Sequence, residues 1–255
     1  VITLPTHQPD RYSRQTILPE IGEEGQLRLS QAKAAVVGAG GLGSPVLYYL
    51  ASAGVGHIKI IDSDTVDVTN LNRQFIHFED DIGKSKAQSA KEKLERYNSS
   101  IQVCAETVRL DEDNACGLLC GCDVVLSCVD NIKTRRLLDG ACVKLGAAMI
   151  DGGISGFDGY VLTVVPGVTP CWQCVFPKGA REESGGVLGA AAGIIGSMMA
   201  MEAVKHVAGV PAGPRFYYVD LLDYRITPIT ARRDAGCSEQ YPSLRTILNT
   251  FENKA

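Results

Sequence analysis

The sequence predicts an α/β protein with a Rossmann-like βαβ core that binds a nucleotide. Three observations carry this. An apolar run at 34–37 leads straight into Gly38-Ala39-Gly40-Gly41-Leu42-Gly43, a pattern that lets the backbone turn tightly and a phosphate approach a helix N-terminus. A helical apolar spacing follows at Val46, Leu47, Leu50 and Ala51. A second apolar run, 57–61, then ends at Asp62, near the offset of about 20 residues at which a carboxylate grips ribose hydroxyls. The pattern alone does not separate NAD, FAD and ATP.

Composition bounds the rest. The chain has 255 residues, enough for one large α/β core, and a formal charge of −4, which argues against a nucleic-acid binder that works through a basic surface. No run of roughly 18 apolar residues is present, so no membrane span is expected, and the N-terminus carries no signal-peptide pattern. The nine cysteines sit mostly in apolar stretches. That suits buried thiols in a reducing compartment, and the protein is expected in the cytoplasm. Cys104, Cys116, Cys120, Cys122, Cys128 and Cys142 read as core thiols.

In chain order, 1–10 read as loosely ordered, and Arg11-Tyr12-Ser13-Arg14-Gln15 begins a polar segment. A helix ends near Leu29, ahead of the strand at 34–37. After Asp62-Ser63-Asp64 comes Asn70-Leu71-Asn72-Arg73-Gln74, a polar stretch just beyond a strand's carboxyl end, where open α/β sheets place their sites. Gly83-Lys84-Ser85-Lys86 opens the next helix. A lysine in a first turn opposes the helix dipole, which makes Lys86 or Lys84 a phosphate candidate. A strand at 101–108 and a short helix at 116–119 precede the buried strand 123–131, whose polar end sets Asp130 where Mg²⁺ on a triphosphate could be held. A helix at 133–145 and a strand at 148–150 follow. Strands at 160–165, 216–221 and 225–230 surround a small-residue helix at 190–207. The chain reads as one domain over 1–255, with a nucleotide-binding half at 34–151 and a substrate-facing half at 152–255.

Cys171-x-x-Cys174 has metal-ligand spacing, and Cys237 is a third donor. A second C-x-x-C would need a cysteine at 240, where the chain has Gln240. Structural zinc, a redox pair and plain packing all remain open readings of these cysteines.

Together, Arg11-Tyr12-Ser13-Arg14-Gln15, the glycine run, Leu50 to Gly56, Asp62-Ser63-Asp64, Asn70 to Gln74 and Cys171-x-x-Cys174 resemble the E1-like adenylating enzymes of the MoeB, ThiF and HesA group, over about 10–240. The resemblance implies a mixed sheet of about eight strands with helices on both faces, and a homodimer. It implies Mg-ATP-dependent activation of the C-terminal glycine of a small ubiquitin-fold carrier protein ending in Gly-Gly, as an acyl-adenylate with release of pyrophosphate, for molybdopterin- or thiamin-type sulfur transfer. Gly38, Gly40, Gly41 and Gly43 would face ATP. Asp62 and Asp64 would hold the nucleotide, with Asp62 on the ribose. Asn70, Arg73, Gln74 and Lys86 would surround the phosphates, Asp130 would position Mg²⁺, and Arg14 would reach the ATP of the partner subunit. Cys171, Cys174 and Cys237 match zinc ligands. Glu182 stands about where relatives carry a loop cysteine, so sulfur is expected from another protein, such as a sulfurtransferase donor, or through a different residue. The alternatives are adenylation of tRNA or a small molecule, an NAD-dependent oxidoreductase, and a binding module that kept only the fold.

Overall fold

A computed structural model describes residues 8–176, 186–211, 213, 215–234 and 237. Eight strands form a single sheet in the order β3-β2-β1-β4-β5-β6-β7-β8. The strands are β1 (Lys33–Val37), β2 (His57–Ile61), β3 (Gln102–Glu106), β4 (Val124–Ser127), β5 (Ala148–Ser155), β6 (Asp158–Val164), β7 (Phe216–Asp220) and β8 (Arg225–Pro228). The first five run parallel, and β6, β7 and β8 are antiparallel to their neighbours.

The helices are α1 (Gln8–Thr16), α2 (Gly22–Gln31), α3 (Gly43–Ala53), α4 (Lys86–Tyr97), α5 (Ala115–Leu119), α6 (Ile132–Leu145), α7 (Trp172–Val175) and α8 (Gly189–Ala208). Alternation along β1 assigns them to faces. Ala34 and Val36 point into one core with Leu47, Leu94 and Ile195, whereas Ala35 and Val37 point into the other with Leu119, Leu138 and Trp172. A sheet covered on both faces explains why its central strands read as continuous apolar runs.

The chain steps from β1 outward to β3, then returns to β4 on the other side of β1. The crevice at the carboxyl ends of β1 and β4 is therefore the topological switch point, where open α/β sheets bind ligands.

Two sequence expectations change at the edges. Residues 8–10 belong to α1, which Tyr12 anchors: the Tyr12 ring is buried, and its hydroxyl accepts a hydrogen bond from Asn98 Nδ2 at 2.9 Å. The short strand expected at 148–150 extends to Ser155 and turns back at Gly156 into β6. Glu182, Gln240 and residues 1–7 lie outside the described residues.

Candidate nucleotide-binding site

A cleft of about 1030 Å³ opens at the switch point. Its floor is the turn between β1 and α3. Gly38 has φ +97°, and a Cβ there would stand 2.6 Å from the Cys128 carbonyl oxygen. Only glycine fits that position. A Cβ on Gly43 would collide with the Gly38 carbonyl, so the third glycine lets the helix start directly beneath the loop. No side chain caps the N-terminus of α3, and Gly40, Gly41 and Leu42 line the cleft. The Ser44 and Val46 N–H groups bond back to the Gly40 and Leu42 carbonyls and Pro45 has none, so what that helix offers an anion is its positive dipole end beneath the glycine loop.

Asp62 closes the loop from the side. Its Oδ2 accepts the Ala39 N–H at 2.7 Å and its Oδ1 accepts the Asp64 N–H at 2.8 Å. Burial pushes the Asp62 carboxyl upward, against the pull of those two N–H groups. Each oxygen keeps a lone pair for a hydroxyl donor.

The polar stretch after β2 folds into two tight turns. The Asn70 carbonyl accepts the N–H groups of Arg73 at 3.1 Å and Gln74 at 2.9 Å. Arg73 Nη1 donates to the Thr69 carbonyl at 3.0 Å and to Asn72 Oδ1 at 2.9 Å, which orients the guanidinium beside Gly41. Gln74 is buried beside Gly40, and its Oε1 has no partner.

Lys86 is buried in the first turn of α4, with Nζ 3.2 Å from Asp64 Oδ2. A buried ammonium at the positive end of a helix is favourable only with further negative charge nearby. Asp130 is exposed on the opposite wall; its Oδ1 accepts from Asn131 Nδ2 at 3.5 Å. One free carboxylate facing a phosphate site fits Mg²⁺, which takes one or two carboxylates with substrate phosphates rather than a full protein cage.

The cleft thus gathers Gly38, Gly40, Gly41, Asp62, Asp64, Arg73, Gln74, Lys86 and Asp130 on its wall. Gly43, Asn70 and Arg14 do not line the cleft, and Arg14 is exposed on α1.

Sequence reading missed a buried hub that joins the cleft to its far end. Arg135 donates to Asp151 at 2.6 Å, to the Gly152 carbonyl and Tyr160 Oη at 2.8 Å, and to the Val129 carbonyl at 2.6 Å. Trp172 Nε1 donates to Asp151 at 2.8 Å. Burial, followed by the charge of Asp151, pushes the Tyr160 hydroxyl upward, so Tyr160 stays a neutral donor. Arg135 is one of several charged residues along α6, so nothing in the sequence singled it out.

The cysteine site lies beside that hub. Cys171 Sγ stands 3.5 Å from Cys174 Sγ and 3.8 Å from Cys237 Sγ. Tetrahedral zinc with bonds of about 2.3 Å requires thiolate separations of about 3.8 Å, so the three residues fit three zinc ligands. The Asp234 N–H donates to Cys174 Sγ at 3.3 Å. Burial opposes the Cys174 thiolate, but that N–H and the neighbouring thiols draw its pKa down, while burial first pushes Cys237 up to about 12. Among the described residues no other group of three donors converges this way. Of the remaining cysteines, Cys128 and Cys142 are buried as expected, whereas Cys104 and Cys120 are exposed and are not core thiols.

A glycine loop on an uncapped helix, a carboxylate at the ribose position and cations facing both define a nucleotide-binding α/β protein built for phosphate chemistry. The ThiF family model matches residues 12–239, and the chain belongs to that family. It is 41% identical over 241 residues to a sulfur carrier protein adenylyltransferase of Thermus thermophilus, covering 89% of this chain and 89% of that protein. It is 44% identical over 205 residues to the adenylyltransferase and sulfurtransferase MOCS3 of Culex quinquefasciatus, covering 78% of this chain and 47% of that protein. The chain thus spans about half the length of the MOCS3 relatives it matches. A crystal structure of E. coli MccB has the same fold, with a TM-score of 0.81, 23% identity and coverage of 92% of this chain and 73% of that one. No helix among the described residues is long and apolar enough to cross a membrane.

Proposed function

We propose that this protein adenylates the C-terminal glycine carboxylate of a small ubiquitin-fold sulfur-carrier protein with ATP, releasing pyrophosphate. The observation that carries the reading is that Lys86, Arg73, the glycine loop before α3 and Asp130 all line one cleft. The nucleophile belongs to the substrate, so the protein needs alignment and charge stabilisation more than a general base.

ATP lies with its ribose on Asp62 and its phosphates over Gly40 and Gly41. Arg73, Lys86 and Gln74 take the phosphate oxygens, and Asn70 holds Arg73 and Gln74 in place. Mg²⁺ on Asp130 would neutralise charge as pyrophosphate leaves. The carrier tail enters from the end of the cleft lined by Tyr160, Phe176 and Tyr218. Zinc on Cys171, Cys174 and Cys237, with a fourth ligand from elsewhere, is structural in this reading.

The working unit is a homodimer. Ile194, Met198 and Met201 form an apolar face along α8 that a second copy would cover, and Arg14 would reach the partner's ATP. Sulfur comes from a separate sulfurtransferase, and the free cysteines suit a reducing cytoplasm.

ATP–pyrophosphate exchange with Mg²⁺, with and without small ubiquitin-fold proteins ending in Gly-Gly, tests the reading. Exchange that depends on one such partner supports it. ATP binding without exchange for any Gly-Gly partner would move the substrate to RNA or a small molecule.

A further inference from the structure

The glycine loop is held by a side chain that none of the cleft chemistry uses. His77 follows the Gln74 turn and is 3% exposed. Its Nε2 stands 2.9 Å from the Ala39 carbonyl oxygen, inside the loop, and its Nδ1 stands 2.9 Å from Ser89 Oγ on α4. Lys93 Nζ, one turn further along α4, donates to the same Ser89 oxygen at 2.7 Å and also pairs with Asp81.

For a neutral imidazole these contacts admit one set of protons. A carbonyl only accepts, so Nε2 carries the hydrogen. Nδ1 is then bare, and Ser89, whose oxygen accepts from Lys93, gives its own proton to Nδ1. Burial, aided by Lys93 and Lys86, outweighs the opposing Ala39 carbonyl and Asp81 and drives the imidazole toward its neutral form. The chain of donors is then Lys93 to Ser89 to His77 to Ala39.

The consequence for the loop is geometric. The peptide plane before Ala39 is fixed by its N–H on Asp62. The plane after it is fixed by its carbonyl on His77. In a trans peptide the N–H points opposite to the C=O, so this anchor turns the Gly40 N–H away from buried His77, to the side where Gly40 lines the cleft. Ser89 and Lys93 belong to the helix that starts with Lys86, so the same link sets the loop against the Lys86 ammonium.

We infer that His77, as the neutral Nε2–H tautomer, is a positioning residue for nucleotide binding that clamps the Ala39 carbonyl and locks α4 to the glycine loop. This rests on reading the cleft as an ATP site. Its test separates the two claims. Long-range proton–nitrogen correlation spectra of the full chain, assigned with the His77→Gln variant, read the tautomer without nucleotide. The clamp requires Nε2 protonated and Nδ1 bare at neutral pH. Calorimetric ATP titrations then compare variants. His77→Gln restores an amide donor and keeps Kd within about threefold, whereas His77→Phe keeps the bulk, loses the donor and weakens ATP binding about tenfold. A purely structural histidine would lower the unfolding midpoint in His77→Phe and leave Kd unchanged. An Nδ1–H tautomer, an imidazolium at neutral pH, or a folded His77→Phe that binds ATP like the parent overturns the inference. If His77→Phe does not fold, the tautomer decides. A parent protein that binds no ATP overturns the cleft assignment instead, and the tautomer still decides the clamp.

Discussion

On the parallel side of the sheet, the cleft residues are aimed by main chain. The Asn70 carbonyl receives the Arg73 and Gln74 N–H groups, and the Lys86 N–H donates to the Asp64 carbonyl. On the antiparallel side, the three thiols depend on side chains and distant segments. Cys171 precedes and Cys174 lies within a four-residue helix whose first N–H groups rest on Asp139, and Cys237 arrives from 66 residues further along. Main-chain turns persist when one side chain is exchanged. A cluster assembled from separate segments needs something at its centre, because three facing thiols gain little from one another. Function should therefore fail at the cleft without unfolding, and stability should fail at the cysteines without loss of chemistry.

The largest expected effect is at Lys86. Lys86→Ala should lower partner-dependent pyrophosphate exchange by about 10²–10³ in kcat while the thermal midpoint stays near that of the parent, because the turn holding it survives. Loss of both together would break the contrast. Gly38→Ala should cost about 2–3 kcal/mol in denaturant unfolding, since φ +97° and the Cys128 carbonyl both resist a Cβ. The cysteines come next. Cys171→Ser, or dialysis against a chelator with metal analysis of the product, should lower the midpoint by roughly 5 °C and leave kcat/KM for exchange within about threefold. A chelated protein that melts unchanged would favour plain packing.

The smallest effect is in pH. His77 and His206 both lie below the ordinary histidine value of 6.5, first because of burial, with Lys93 and Lys86 acting on His77 and Arg215 on His206. The unfolded chain takes up protons there before the folded one does. Stability from these groups is therefore complete above that pH and declines as pH falls below it. Urea unfolding across this range should show the decline, and His77→Gln should make it shallower.

The parallel half was legible because its signals are local. Apolar strands of β-branched residues, the glycine turn and Asp62 at its offset each act within a few residues. The cleft's charged residues were legible because a polar run after a strand has little structural reason to exist. The antiparallel half hid more. Gly152 and Gly153 read as a break, yet Gly152 is glycine because Met199 and Ile195 of α8 press against it, a contact that sequence cannot reveal. His77 acquires its role only when α4 and the glycine loop meet. Arg135 was invisible because its partners lie on β5, on β6 and in the β4–α6 turn.

The most direct test of the central claim follows oxygen. A carrier protein labelled with ¹⁸O in its C-terminal carboxylate would be incubated with the enzyme, ATP and Mg²⁺, and the activated product trapped with hydroxylamine. Attack of the carboxylate on the α-phosphorus predicts one labelled oxygen in the AMP recovered and none in pyrophosphate. Unlabelled AMP, or ADP with labelled phosphate, would contradict carboxyl adenylation in this cleft.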